Sequence, residues 1–211
     1  MKNVNQIKVN TRDTRELIAL MRDTGFNGKK LAKACEIYEE MIKNPTCVKF
    51  FGLSGAMVPA GMRSIIRDFI DKGYINVLVT TGANLTHDVA EALGFHHMQG
   101  ESDVNDAELN KKGVDRIYDV YMKNEVYEDM EDFVNSLEIK DKMSVKELLW
   151  MIGDKLNDPD SILTTAAKKR IPIFCPGFVD CGLGVQISIN HDKVVLDYGK
   201  DLRELVNLAW T

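Results

Sequence analysis

The chain has 211 residues, enough for one large domain at about 150 residues per domain. With 45% hydrophobic and 28% charged residues it can bury a core, which excludes a disordered chain. Asp and Glu outnumber Lys and Arg to leave a net charge of −5, the wrong sign for sequence-independent nucleic-acid binding but compatible with a cationic partner. No apolar run reaches the ~18 residues of a membrane span, and MKNVNQIKVNTRD carries no apolar stretch of a signal peptide. The cysteines Cys35, Cys47, Cys175 and Cys181 form no C-x-x-C pair. They are too sparse for a disulfide framework, so a reducing cytoplasm is expected.

In chain order, residues 1–45 read as a helical segment. Asp13 and Glu16 have capping-box spacing ahead of Leu17, Ile18, Leu20 and Met21. Leu31, Ala34, Cys35, Tyr38 and Met41 then recur at helical spacing up to the Asn44-Pro45 breaker. From residue 46 the period changes. Val48 to Leu53 reads as a buried strand, followed by a loop over 54–61 and an amphipathic helix ending at Lys72-Gly73. Ile75 to Thr80 reads as a second strand, followed by a loop over 81–88 and a helix beginning at Val89. The charged stretch from Glu101 to Asp141 reads as mostly helical. Ser144 and Glu147 form a second capping box, and Asp158-Pro159 reads as the cap and first residue of a helix closing on Lys168-Lys169-Arg170. Ile171 to Phe174 and Val194 to Leu196 read as further strands, with a loop over 176–184 between them. The last helix begins at Leu202. This alternation predicts an α/β fold, an open, doubly wound and mainly parallel Rossmann-like sheet over 46–211.

In such a sheet, ligands sit beyond the carboxyl ends of the strands. That places the loops 54–61, 81–88 and 176–184 at the site. The first could hold a phosphate on its backbone N–H groups, although glycines there also serve simply for turning. Neither G-x-x-x-x-G-K-[ST] nor G-x-G-x-x-G is present, and Thr80-Thr81-Gly82 stands where a dehydrogenase would carry its ribose-binding acid. Asp180 is the remaining carboxylate for a ribose. The histidines have no metal-ligand spacing, and His96-His97 cannot both face one ligand if extended, so no metal is expected. His87 alone lies in a loop expected to face a ligand.

With those loops located, the chain resembles the deoxyhypusine synthase family and its archaeal and bacterial relatives. The resemblance is carried by TGFNG (24–28), FFGLSGAMVPAGMR (50–63), INVLVTTGANLTHD (75–88), GVDRIYDVYMKNEVYEDMEDF (113–133) and IPIFCPGFVDCGLGVQ (171–186). It implies NAD-dependent transfer of the aminobutyl group of spermidine to a lysine of translation initiation factor 5A, in a homotetramer. It also implies an NAD site at Ser54, Gly55, Ala56, Met57, Val58, Pro59, Thr81, Gly82, Ala83, His87 and Asp180. Substrate would then be bound by Thr86, His87, Asp88, Tyr127 and Val185. Eukaryotic members have adjacent carboxylates where this chain has Thr86-His87, and an aspartate where it has Val185. A polyamine is held by carboxylates, so a homospermidine-like aminobutyl transfer is an alternative.

The family's reactive-lysine segment would lie past Trp210. The resemblance therefore predicts a chain incomplete at its C-terminus, with no catalytic nucleophile of its own, and leaves a shortened non-catalytic NAD-binding paralogue as a further alternative.

Overall fold

The computed structural model describes residues 4–8 and 13–210. The chain divides into two compact units, Met1–Lys49 and Phe50–Thr211. In the first, the Asp13 carboxylate accepts a hydrogen bond from the Glu16 amide at 2.7 Å and opens α1 (Thr14–Met21). Helix α2 (Phe26–Lys43) follows, and along both helices Ala32 is the sole buried residue.

The second unit is built on three parallel strands, β1 (Phe50–Leu53), β2 (Val77–Thr80) and β7 (Ile173–Phe174), with β2 in the middle. Phe50 pairs with Val77, Leu53 with Thr80, and Leu78 with Ile173. A helical turn at Val58–Met62 and α3 (Arg63–Asp71) connect β1 to β2. Helix α3 stops where the sequence predicts. Gly73 takes φ +69°, its N–H donates to Ile70 O, and Tyr74 N–H reaches back to Phe69 O, a Schellman closure that needs a residue tolerant of positive φ. The architecture is therefore mixed α/β with parallel strands.

After β2, α4 (Gly82–Ala92) starts immediately, so most of the expected 81–88 loop is helix. Its first turns have no amphipathic pattern because Gly82, Asn84, Leu85, Thr86, His87 and Asp88 are all buried. The stretch expected to be mostly helical between Glu101 and Asp141 holds an antiparallel sheet as well as helices. Strands β3 (Met98–Gln99), β4 (Val114–Ile117) and β5 (Val120–Lys123) pair in the order β3-β5-β4. The β4–β5 hairpin turns at Tyr118-Asp119 with Tyr118 at φ +57°. Helices α5 (Asp106–Lys111) and α6 (Val126–Asn135) flank it in sequence.

Next, β6 (Lys142–Met143) leads into α7 (Val145–Leu156), whose Ser144–Glu147 capping box forms in both directions. Helix α8 (Ile162–Lys169) is capped by Ser161, not by Asp158. Asp158 instead accepts from the Asp160 amide and from Arg63. A short turn at Phe178–Asp180 leads to α9 (Gly182–Asn190), so the second half of the expected 176–184 loop is also helix. Strand β8 (Val195–Leu196) pairs in parallel with β6, and α10 (Tyr198–Trp210) closes the described chain.

The core runs from Ile66 and Ile70 through Leu78, Leu85 and Val89 to Leu148, Leu149, Ile152, Leu163 and Phe178. At its centre lies a charge. Asp88 is fully buried and accepts from Arg63 Nε at 2.7 Å, Ser161 Oγ at 2.8 Å, Ile162 N at 3.0 Å and Leu163 N at 2.9 Å. One side chain of α4 thus neutralises Arg63 and satisfies the open N-terminus of α8.

Candidate functional site

A cavity of about 660 Å³ lies past the carboxyl ends of β2 and β7, the position expected for a ligand in a parallel sheet. Thr80, Thr81, Gly82 and Ala83 form one wall, with Thr86 and His87 one turn further along α4. Pro176, Gly177, Asp180, Cys181 and Gly182 form the opposite wall, and Tyr127 of α6 completes the lining.

The walls are tied together by side chains the sequence reading passed over. Asn84, buried at 1% exposure, holds the 54–59 loop from two sides: its Oδ1 accepts from Val58 N at 3.0 Å, and its Nδ2 donates to Gly55 O at 3.2 Å. Thr81 Oγ1 donates to the same carbonyl at 2.6 Å. Thr81 is therefore occupied and gives α4 no side-chain cap, which leaves the first-turn N–H groups at Gly82 and Ala83 for a ligand. Opposite, Thr86 Oγ1 accepts from Leu183 N at 3.1 Å, and Cys181 Sγ accepts from Gly184 N at 3.3 Å. Gly82 is obligatory here: a Cβ would stand 2.4 Å from Cys181 Cβ.

Electrostatically, the lining holds one carboxylate, Asp180, and neither lysine nor arginine. Burial, with Cys181 and Asp180 nearby, pushes the Cys175 thiol up to about 12, so it remains uncharged. Burial, with Asp115, also raises the Tyr127 hydroxyl. His87 is pulled from the ordinary histidine range down to about 4, first by burial and then by His97. His87 Nδ1 lies 2.9 Å from His97 Nε2, and His97 Nδ1 lies 2.6 Å from Glu91 Oε1. His96 Nδ1 lies 3.2 Å from the other oxygen of Glu91. His96 and His97 therefore both reach one carboxylate, one oxygen each. The expectation that the two neighbours face opposite sides applies to an extended strand, and both residues lie outside the strands. Burial works against the charge of Glu91, yet hydrogen bonds from His97 and His96 bring it down to about 2. Among the described residues, no group of three His, Cys, Asp or Glu side chains is placed to hold a metal.

Of the expected site residues, the cavity gathers Thr81, Gly82, Ala83, Thr86, His87, Tyr127 and Asp180. Residues Ser54 to Pro59 lie behind it, in contact through Gly55 and Val58 but outside the lining. Val185 is on α9, 45% exposed and also outside the lining. Asp88 requires a correction. Expected to hold an amine, its carboxylate is instead sealed in the core and taken up by Arg63, Ser161 and the start of α8. Burial opposes the charge of Arg63, but Asp88 and Asp158 raise its pKa above the ordinary range.

A cavity with backbone donors on one wall and a single carboxylate on the other, past the strand ends, stands where α/β proteins with parallel strands take their ligands. The family model described as deoxyhypusine synthase matches residues 16–211, and the chain belongs to the deoxyhypusine synthase family. It is 45% identical over 200 residues to a "Probable deoxyhypusine synthase" of Methanosarcina thermophila, covering 92% of this chain and 63% of that protein. It is 41% identical to "Probable deoxyhypusine synthase 2" of Archaeoglobus fulgidus, covering 90% and 65%. The chain thus spans less than two thirds of these relatives. A crystal structure from Entamoeba histolytica, described as a "putative deoxyhypusine synthase", shares the fold at a TM-score of 0.65 and 21% identity, over 94% of this chain and 73% of that one.

Proposed function

We propose that this chain carries the NAD- and amine-binding part of a deoxyhypusine synthase-like transferase, in an open Rossmann-like sheet spanning residues 46–211, which follows the N-terminal segment 1–45 in sequence. The activity is transfer of the aminobutyl group of spermidine to a lysine of translation initiation factor 5A, by a cytoplasmic homotetramer. The observation that carries the reading is the cavity itself, where Thr81, Gly82, Ala83, Thr86, His87, Tyr127 and Asp180 converge at the strand ends.

The residues present suit NAD. Open N–H groups at Gly82 and Ala83, at the positive end of α4, fit a pyrophosphate, and Asp180 fits ribose hydroxyls. When bound, NAD supplies the hydride acceptor for oxidation of an amine. The chain's own part is to position both ligands. Ser54 to Pro59 back the cofactor wall through Asn84, Thr86 and Tyr127 line the amine side, and Val185 stands at its margin. Asp88 acts through the fold rather than on the amine. No catalytic nucleophile is assigned within these residues.

A second reading, homospermidine-like transfer to a small amine, is favoured by the single carboxylate in the lining, since a long polyamine is better held by several.

Calorimetric titration with NAD tests the cofactor site: saturable binding is expected, weakened at least about tenfold, ~1.4 kcal/mol, by Asp180→Ala. Absence of binding at millimolar NAD would refute the reading. With labelled spermidine, NAD and an acceptor, label in the factor protein supports the first activity, and label in putrescine alone supports the second.

A further inference from the structure

Glu91 and His97 belong to none of the motifs that carry the family resemblance, yet together with His87 they form one hydrogen-bonded chain. Glu91 Oε1 is 2.6 Å from His97 Nδ1, and His97 Nε2 is 2.9 Å from His87 Nδ1. His87 lines the cavity; its Nε2 makes no hydrogen bond among the described residues and is not sealed from solvent. An ionised carboxylate only accepts, so His97 Nδ1 carries a proton throughout. Two arrangements remain. With His97 neutral, its Nε2 accepts from His87 Nδ1–H, and His87 presents a bare Nε2 to the cavity. With His97 as imidazolium, its Nε2–H donates to His87 Nδ1, and His87 presents Nε2–H. The two differ by one proton, and His87 is neutral in both.

We propose that Glu91, His97 and His87 form a proton relay whose cavity end is His87 Nε2 and whose charge settles on His97 beside Glu91. The proton donor is an ammonium group of the ligand, an assignment that rests on the reading of the cavity as an amine site. An ammonium N–H bond breaks, the nitrogen keeps the electron pair, and the proton bonds to His87 Nε2. The proton on His87 Nδ1 moves to His97 Nε2. Nothing is oxidised or reduced; one positive charge leaves the amine and appears on His97. A neutral amine is the form able to release a hydride or to attack as a nucleophile.

The surroundings favour this division. His87 is buried at 8% exposure, so a charge resting on it is costly, whereas His97 has a carboxylate in contact. His96 flanks the other oxygen of Glu91. Tyr127 of α6, with Asp180 and Cys181 ahead of α9, shares the cavity with His87, while Asp88 beside it on α4 is engaged by Arg63. His87 is the residue that touches the ligand, and His97 and Glu91 are positioning residues acting through it.

Long-range proton–nitrogen correlation spectra of the full chain with labelled histidines, titrated from about pH 9 to about pH 5, test the relay. A shared midpoint is expected, at which His97 becomes doubly protonated while His87 stays singly protonated and its proton shifts from Nδ1 to Nε2. A merely structural His97 would titrate with no tautomer change at His87. That result, or double protonation of His87 at or above the midpoint, overturns the proposal. Glu91→Gln is expected to lower the midpoint by about one pH unit or more, and His97→Phe to abolish the switch. If either variant fails to fold, the unmodified chain's spectra decide. A switching relay in a chain that binds neither NAD nor spermidine would overturn the amine reading and spare the relay. A chain that binds both with a fixed tautomer would do the reverse.

Discussion

Asp88 carries the heaviest structural duty of any titratable residue described here. Its carboxylate meets a guanidinium, a hydroxyl and the first amides of α8 at 0% exposure. Asp88→Ala leaves Arg63 with only Asp158 of its two carboxylates and strips the first amides of α8 of their acceptor; it is expected to cost about 3–5 kcal/mol, read as a lower urea midpoint at an unchanged slope. A loss below about 1 kcal/mol would mean that the core does not depend on the charge. His87 makes the stability of the fold depend on pH. Its folded pKa lies below the unfolded value, so the unfolded chain binds the proton more readily. The stability it contributes is complete above the ordinary histidine range and is lost as pH falls toward about 4. Glu91, depressed to about 2, adds a second loss from the ordinary glutamate range downward. Thermal melts of His87→Phe are therefore expected to be flatter than those of the unmodified chain between about pH 6.5 and about pH 4, with both falling further below that.

Among the elements, α7 and α8 share the most extensive contact, and Gly153 lets them approach. A Cβ there would stand 2.2 Å from the Leu163 carbonyl oxygen, a backbone atom that cannot swing aside. In an exposed helix, Gly→Ala adds about 1 kcal/mol, but Gly153→Ala is expected to cost about 1–3 kcal/mol by overpacking. A higher melting temperature in that variant would contradict the packing argument. These elements also show where the sequence was readable. The Ser144–Glu147 box and the Gly73 stop are local, needing only neighbouring residues, and both form as the pattern indicates. The switch to short apolar runs located β1, β2 and β7, and with the last two the cavity at their ends. The start of α4 was not legible because burial on every side erases helical periodicity. The β3–β5–β4 sheet was hidden by short, charged, half-exposed strands. Ser161 outcompeted Asp158 as a cap because Asp158 is drawn to Arg63, a partner 95 residues away. Glu91 and His97 gave no signal at all, since their link to His87 comes from the fold of the segment after α4.

At the scale of the whole molecule, stability is distributed unevenly between the two units. Phe50–Thr211 owns the continuous core around Leu78, Leu85, Leu148 and Phe178, whereas α1 and α2 bury Ala32 alone. Helices of 8 and 18 residues have little intrinsic stability in water without an apolar face buried in partners. At about 25 cal/mol per Å² of apolar surface, one buried alanine offsets almost none of the backbone ordering entropy, about 1–2 kcal/mol per residue. Hydrogen exchange of the chain is thus expected to show amides of Thr14–Lys43 exchanging through local opening, orders of magnitude faster than those of α4, α7 and α8, which open only with the whole unit. Mild proteolysis should accordingly cut within Thr14–Lys43 first and leave a resistant fragment containing Phe50–Trp210. Equal protection in α2 and α7 would show instead that α2 is held by a further surface, such as another copy of the chain. Dilution would then separate the two cases, since protection arising from association falls with concentration and protection within one chain does not.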